Sequence, residues 1–359
     1  MASVQPSTAF LSPGDPRWEE VLGRAPHDYF HTPAYVAACA AHEDGQALLF
    51  VADAGDHGML VPLVRHSLPA FGERFQAFSD AMSPYSYATP VYWGCTVPGR
   101  LEALHRAFEQ ALRDLGVVSI FLRLNPYLEA PEPGLAAVGD VQVHGPVVYL
   151  DLRNPEGSWE GINSQNRRFI KGQLADGCSV RIDDWSALDQ VVAAYHATME
   201  RLGASNFYYF RREFFLRLRE ADPAHFHLAT AFSAHGEVTG GMFFTEMGGL
   251  VHGFLSGALD QFAHLSPAKL LNNAVRLWGV EHGCHTFNLG GGLGSAQDNL
   301  FQFKVRFSKL TRNYATFRKI IIPEVYLALA GTLEPDPCGY FPRYRRPSVR
   351  VALVDHKAV

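Results

Sequence analysis

The chemistry-bearing residues concentrate in one stretch, Gly283–Ile322. There a glycine triplet, Gly290, Gly291 and Gly292, precedes a helix pattern carrying Lys304 between Phe303 and Phe307. Glycines let a backbone take positive φ and let another molecule approach with no Cβ in the way. A lysine ammonium whose direction is fixed by flanking apolar rings can stabilise a developing oxyanion, a role worth about 3 to 4 kcal/mol in the transition state. Arg306 and Lys309 extend the same basic run, and Arg312, Arg318 and Lys319 follow it. The plain alternative is a solvated helix face, on which Lys304 is an ion-pair partner worth at most about 1 kcal/mol.

Three further groups of residues suit the binding of a second reactant. Met82–Val91 reads MSPYSYATPV, a proline-flanked loop that exposes Tyr85 and Tyr87, whose rings stack and whose hydroxyls hydrogen-bond. A helix over Ser158–Gly177 carries Asn166, Arg167, Arg168 and Lys171, with the three cations at i, i+1 and i+4 on one face and Ile162, Phe169, Ile170 and Leu174 on the buried one. Arginine suits bidentate phosphate recognition, whereas a solvated charged face is the ordinary reading of such a run. The aromatic segment Phe207–Phe210 holds Tyr208 and leads to Arg211, and its phenylalanines read as core.

The elements that position these residues follow from periodicity and turn chemistry. In the first part of the chain, short helices at Asp15–Val21 and Thr32–His42 precede strands at Ala47–Ala52, Met59–His66 and Phe75–Phe78. An amphipathic helix over Pro98–Leu115 then leads into the strand Val117–Leu124. Glu129–Gly145, with Pro131 and Pro133, reads as a junction, after which the strand-helix pattern restarts at Val147. A helix over Ser186–Leu202 and three strands, Phe226–Phe232, Val238–Glu246 and Leu250–Ala258, form a meander, followed by a helix capped at Ser266-Pro267 and a strand from His285. Asp298 is a good N-cap for the helix that bears Lys304.

Strand, glycine break, helix with Phe303-Lys304 and Phe307, then strand is similar to the end of the GNAT acyltransferase fold. More closely, LGGG followed by D-x-L-F-x-F-K-x-x-F resembles the Fem family of aminoacyl-tRNA-dependent peptidyl transferases and their FemAB-like relatives. The S-P-Y-x-Y-x-x-P-V loop, the N-R-R-x-I-K helix and the T-M-x-R-x-G…F-Y-Y-F segment extend that resemblance over nearly the whole chain. It implies an α+β fold of tandem GNAT-like domains, each a mixed, mostly antiparallel sheet flanked by helices. The division implied is residues 1–145, 146–330 with the donor site, and a tail, 331–359, packing on the first domain. It also implies Lys304 as the catalytic residue at the donor's acceptor end, Ser256, Gly290, Gly291, Gly292, Phe303 and Arg306 as donor-binding, and Tyr85, Tyr87, Asn166, Arg167, Arg168, Lys171, Tyr208 and Arg211 as acceptor-binding residues converging on a cleft. The central strand Leu250–Ala258 would show its backbone groups to the donor where it splays from the strand at His285. A helical coiled-coil arm found in some Fem proteins has no heptad counterpart here, which opens the acceptor to peptides and small natural products such as antibiotics beside cell-wall precursors.

Composition sets the outer limits. A length of 359 residues suits two cores, and 47% apolar with 19% charged residues is a globular balance. A net charge of -5 argues against coating of DNA, so any RNA contact is a local patch. The cysteines, Cys39, Cys95, Cys178, Cys284 and Cys338, show no paired spacing, which predicts free thiols in a reducing compartment and no metal site. No basic-apolar leader or membrane-length apolar run is legible, which predicts a soluble cytoplasmic protein.

The donor is argued from a departure. Acyl-CoA enzymes bind the pyrophosphate in a glycine-rich turn at a helix N-terminus, where N–H groups and the helix dipole favour an anion. This chain has Asp260-Gln261-Phe262-Ala263-His264-Leu265-Ser266-Pro267 in that place, with no glycine, an acid beside it and a proline lacking one donor. Aminoacyl-tRNA, a co-substrate and not a tightly bound cofactor, therefore ranks ahead of acetyl-CoA or another acyl-CoA. The expected activity is transfer of an amino acid to the amine of a peptide, peptidoglycan precursor or small molecule. An acyl-CoA N-acyltransferase and a non-catalytic GNAT-like binding protein are the alternatives.

Overall fold

The computed structural model describes residues 5–94, 97–128 and 132–346, so Cys95, part of the junction at 129–131 and the tail from 347 lie outside the described residues. The chain forms two compact units, residues 1–143 with 315–359, and residues 144–314.

The first unit runs β1 (Ser7–Leu11), α1 (Arg17–Leu22), α2 (Pro33–His42), β2 (Gln46–Asp53), β3 (Gly58–Ser67), β4 (Ser79–Met82), β5 (Val91–Trp93), α3 (Pro98–Asp114), β6 (Val117–Leu124) and α4 (Glu132–Ala136). The strand β7 (Asp140–Asp151) enters the second unit, which continues with α5 (Pro155–Glu160), α6 (Ser164–Ala175), β8 (Ser179–Ile182), α7 (Leu188–Arg201), α8 (Arg212–Ala221), β9 (Phe226–Phe232), β10 (Val238–Met247), β11 (Leu250–Ala258), α9 (Pro267–Glu281), β12 (Thr286–Gly290) and α10 (Asn299–Val305). The strand β13 (Thr311–Ile320) returns the chain to the first unit, where α11 (Pro323–Ala330) follows.

In the first unit the sheet order is β1-β2-β3-β4-β6-β13 with β5 beside β3, and only β4 and β6 are parallel. One face is covered by α3, whose Leu104, Phe108 and Leu112 pack on Phe50, Met59 and Phe317. The other is covered by α11 and the segment after it, with Tyr326, Leu329 and Tyr344 over Leu68 and Val118.

In the second unit the order is β7-β12-β11-β10-β9-β8, and only β11 and β12 are parallel. On one face α6 and α9 pack Ile170, Leu271 and Val275 against Phe244, Val251 and Phe287. On the opposite face α7 and α8 pack around Phe243, whose ring stacks on Phe215 at 3.9 Å between centroids. Gly257 lets α7 come down onto β11, because a Cβ there would collide with the backbone of Ala194 and Tyr195. Both units are mixed, mostly antiparallel sheets flanked by helices, the α+β class read from the sequence.

Several elements differ from their sequence expectation, each for a tertiary reason. Phe75–Phe78 is no strand: Glu73–Phe75 is a single helical turn with Phe75 buried, and the strand is β4, Ser79–Met82. Its polar Asp80 is tolerated inside because Tyr344 and Arg345 give it donors at 3.0 and 2.5 Å. The single helix Ser158–Gly177 is two, since the Asn163 side chain accepts from Gln165 N at 2.8 Å and starts α6 afresh. Within α6 the buried line is Asn166, Ile170 and Gln173, continuing from Ile162 just before the helix, and Leu174 is exposed. Ser266 makes no side-chain cap on α9 and lies in the left-handed region at φ 40°.

Candidate active site

The parallel pair β11 and β12 is hydrogen-bonded only over Leu250–His252 and Thr286–Asn288. Beyond this the strands part, and the sequence places a bulge in each. In β11 Phe254 is the extra residue between Gly253 and Leu255, and in β12 the register against β7 slips between Asn288 and Gly290. The apex is fixed by the buried pair Asn288 Nδ2 and His252 Nδ1, 3.0 Å apart, and Asn288 Oδ1 accepts from Gly290 N at 2.8 Å. The result is a wedge between the two strands, and Ser256 is exposed on its β11 wall.

Gly290, at φ 75°, ends β12 at the open end of this wedge. The triplet then serves the chain's own close packing. A Cβ on Gly292 would strike Ala296 O and the Asp298 carboxylate, and one on Gly291 would sit 3.1 Å from Pro146 O. The expectation that these glycines clear space for another molecule is thus corrected at Gly292, whose space is filled by Asp298. That carboxylate accepts from Phe301 N at 2.9 Å through one oxygen and from Leu293 N at 3.0 Å through the other. The backbone donors hold its carboxyl below the usual range and lock the turn to the start of α10.

Lys304 leaves α10 toward this turn and donates from Nζ to Gly291 O at 2.6 Å. Its side chain is half-buried, and desolvation of the ammonium end lowers its pKa to about 8, against a smaller opposing attraction from Asp298. Phe307 is buried and Phe303 half-buried against it edge-on, ring centroids 5.4 Å apart, which sets the helix face that Lys304 occupies. The expected basic helix face is not present. The helix ends at Val305, Arg306 is its exposed C-cap and Lys309 lies exposed beyond it, leaving Lys304 as the one helical cation of the run.

One cation near this site was missed in the sequence. Lys269, in the first turn of α9, places Nζ 3.9 Å from the Phe169 ring centroid, and its pKa is lowered by desolvation and by the nearby charge of Arg306. Arg306 O accepts from Asn163 N at 2.7 Å, so the starts of α6 and α9 meet the end of α10. The available signal was its position, two residues after a proline that opens a helix. The turn before α9 is a helical turn, Asp260–Leu265, with Asp260 engaged by Arg201, and the Lys269 N–H is spent on Ser266 O at 2.9 Å.

The remaining expected residues of the second unit lie on both sides of its sheet. Arg167 turns away from solvent to donate to Glu160 O at 2.5 Å, tying α6 to the end of α5, whereas Arg168 and Lys171 stay exposed on the outer face of α6. Asn166 is buried, with its Nδ2 unpartnered among the described residues. Tyr208 is exposed and Arg211 is the exposed N-cap of α8. They sit with α7 and α8, so the sheet of the second unit lies between them and α6. In the first unit Tyr85 and Tyr87 are half-buried and not fully exposed. Tyr85 O accepts from Tyr35 Oη at 2.8 Å, and Tyr87 packs edge-on to Phe30 at 6.1 Å, because Ser86 between them takes a left-handed φ of 77°.

The acetyltransferase (GNAT) domain family matches residues 162–304. Curated protein sequences gave no match. Among solved structures, FemX superposes with a TM-score of 0.67 at 12% identity, covering 90% of this chain and 99% of its own. L-PGS from Bacillus licheniformis gives a TM-score of 0.52 at 14% identity over 96% of this chain and 97% of its own. The C-terminal domain of a putative lysylphosphatidylglycerol synthetase from Agrobacterium fabrum gives 0.51 at 15% identity over 95% of each chain. At these identities the likeness is one of fold. Residues 162–304 thus match the acetyltransferase (GNAT) domain family, and the chain as a whole has a fold similar to that of FemX.

Proposed function

We propose that the chain is an aminoacyltransferase that joins an amino acid, delivered as its ester on tRNA, to the amine of a peptide, peptidoglycan precursor or small natural-product acceptor. The acceptor amine attacks the ester carbonyl, a C–N bond forms, the C–O bond to the ribose breaks, and the amine proton ends on the released ribose hydroxyl. An aminoacyl ester is already activated, so positioning and oxyanion stabilisation carry the rate. Holding the reactants together supplies up to roughly 7 to 11 kcal/mol in ideal systems. Lys304 supplies the second term: an ammonium has three donors, one is fixed on Gly291 O at 2.6 Å, and the others serve the oxyanion. Ser256, Gly290 and the backbone of the wedge hold the aminoacyl group, and Arg306 with Lys269 takes the phosphate of the donor's 3′ end.

The observation that carries the choice of donor is the entry to α9. It has Ser266 in a left-handed conformation, Pro267 without an N–H, and Lys269 N–H already used, which makes a poor pyrophosphate cradle. The structural neighbour named as a putative lysylphosphatidylglycerol synthetase supports the same reading, an aminoacyl group. The second reading, acyl-CoA-dependent N-acylation, is favoured by the acetyltransferase description of the matched family. Incubating the full-length protein with an amine panel and either a charged tRNA pool or acetyl-CoA, and detecting new amides by mass, separates the two. Amides from charged tRNA alone support the proposal, and amides from acetyl-CoA alone replace it with the second reading.

A further inference from the structure

The outer face of α6 carries cations that nothing in the chain neutralises. Arg168 and Lys171 are exposed there, and with Lys269 and Arg306 beside them they have no carboxylate partner among the described residues. Arg153, Arg181 and Arg212 of the same unit each hold one instead, Asp151 at 2.8 Å, Asp184 at 3.1 Å and Asp189 at 2.5 Å. The four unpaired cations are neighbours. Lys269 lies on the ring of Phe169, next in sequence to Arg168, and Arg306 is close enough for its charge to act on Lys269. Lys171 stands 5.8 Å from the Trp159 ring. In a chain of net charge -5, a local patch of this kind with aromatic rings among its cations suits a polyanion.

Gly172 points the same way independently. It follows Arg168 by four residues and Phe169 by three, so it shares their side of α6. A glycine inside a helix costs about 1 kcal/mol against alanine, and a Cβ here would meet nothing in the chain, so internal packing does not call for it. What a missing side chain does permit is the close approach of another molecule to the helix backbone. A lipid surface is disfavoured, because a helix lying on a bilayer turns its apolar face to it, whereas Ile170 of α6 is buried in the core of the unit.

We propose that this face of α6 seats the RNA duplex adjoining the donor's 3′ end, with Arg168 and Lys171 on its phosphates and Gly172 under its backbone. The proposal rests on the aminoacyl-tRNA reading, which puts Lys269 and Arg306 at the 3′ phosphate, and it moves Arg168 and Lys171 from the acceptor to the donor. Duplex RNA is bound through its phosphates and shape, so affinity should follow salt and charge. The test is anisotropy titration of the full-length protein with a labelled, uncharged RNA hairpin ending in single-stranded CCA, over a salt series. Arg168→Gln and Lys171→Gln should each weaken binding severalfold and reduce the slope of log affinity against log salt by about 1. Arg217→Gln, exposed on α8 across the sheet, should change little. Gly172→Gln should weaken binding at the same slope while the melting temperature holds or rises. Unaltered hairpin affinity in the α6 variants, equal losses in Arg217→Gln, or binding of phosphatidylglycerol vesicles that the α6 variants lose while hairpin binding persists overturns the proposal. Amides formed from charged tRNA by the α6 variants at an unaltered KM overturn it while the transfer reading stands. Hairpin binding that depends on α6 as expected, with no amide formed by the unaltered protein, removes the transfer reading and leaves the RNA-binding face.

Discussion

Lys304 Nζ and Gly291 O stand 2.6 Å apart, so the ammonium is pinned to the glycine turn at the open end of the β11–β12 wedge. That bond orients an ammonium that burial has already desolvated, and the chemistry proposed for the chain depends on it.

Replacing Lys304 by Ala is expected to slow single-turnover transfer by a factor on the order of 10² or more, the scale of one lost oxyanion donor. Lys309→Ala, an exposed position outside the helix, should change little. Equal rates for Lys304→Ala and the unaltered protein would remove Lys304 from the mechanism.

The lowered pKa of Lys304, about 8, gives two pH signatures. As a cation it serves the oxyanion below that value, so transfer should decline as pH rises through about 8, and Lys304→Arg should flatten the decline because arginine stays charged. For stability, the folded-state pKa lies below the unfolded one. The unfolded chain therefore binds more protons between about 8 and the ordinary lysine value near 10.4, and stability rises with pH across that window. Urea midpoints for the unaltered protein and Lys304→Met should converge toward its upper end.

Lys269 and Arg306 carry like charges at the start of α9 and the end of α10. If they take a donor phosphate, Lys269→Ala and Arg306→Ala should each raise KM for the donor severalfold with kcat little changed, and should weaken its salt dependence. A fall in kcat with unchanged KM would contradict this placement.

Gly292→Ala and Gly172→Ala should have opposite effects. A Cβ at 292 collides with Ala296 O and the Asp298 carboxylate, so melting temperature and transfer should both drop. At 172, on the exposed side of α6, a Cβ meets nothing, and alanine should stabilise by about 0.5 to 1 kcal/mol. Thermal melts of both variants decide it.

Asp80 is buried with Arg345, whose Nη2 reaches its other oxygen at 2.8 Å. Arg345→Met leaves that carboxylate without its cation and should cost about 3 to 5 kcal/mol, whereas the double change with Asp80→Asn should recover part of the loss. Denaturant titration of both variants, with non-additivity as the readout, checks it.

The sequence by itself determined the order of elements and the turn chemistry of the second unit. The Asp298 cap, the Gly290 break, the β9–β10–β11 meander and the α3 stripe of Leu104, Phe108 and Leu112 all read correctly, because caps, turns and periodicity are local properties of the chain. Only the tertiary structure decided where the polar side chains went. Lys304 finds an acceptor 13 residues back, and Asp80 finds its partner 265 residues on. Asn166 and Gln173 fill the buried line of α6 that Leu174 was expected to fill, and Arg167 bends back to Glu160 O while Arg168 stays in solvent. The sheet of the second unit also stands between Arg168 and Tyr208, which the motif pattern had grouped together. Periodicity reports the average polarity of a face, but the cost of burying a charge or an amide depends on whether a partner from elsewhere in the chain arrives to satisfy it. That partner is set by packing and cannot be read from spacing.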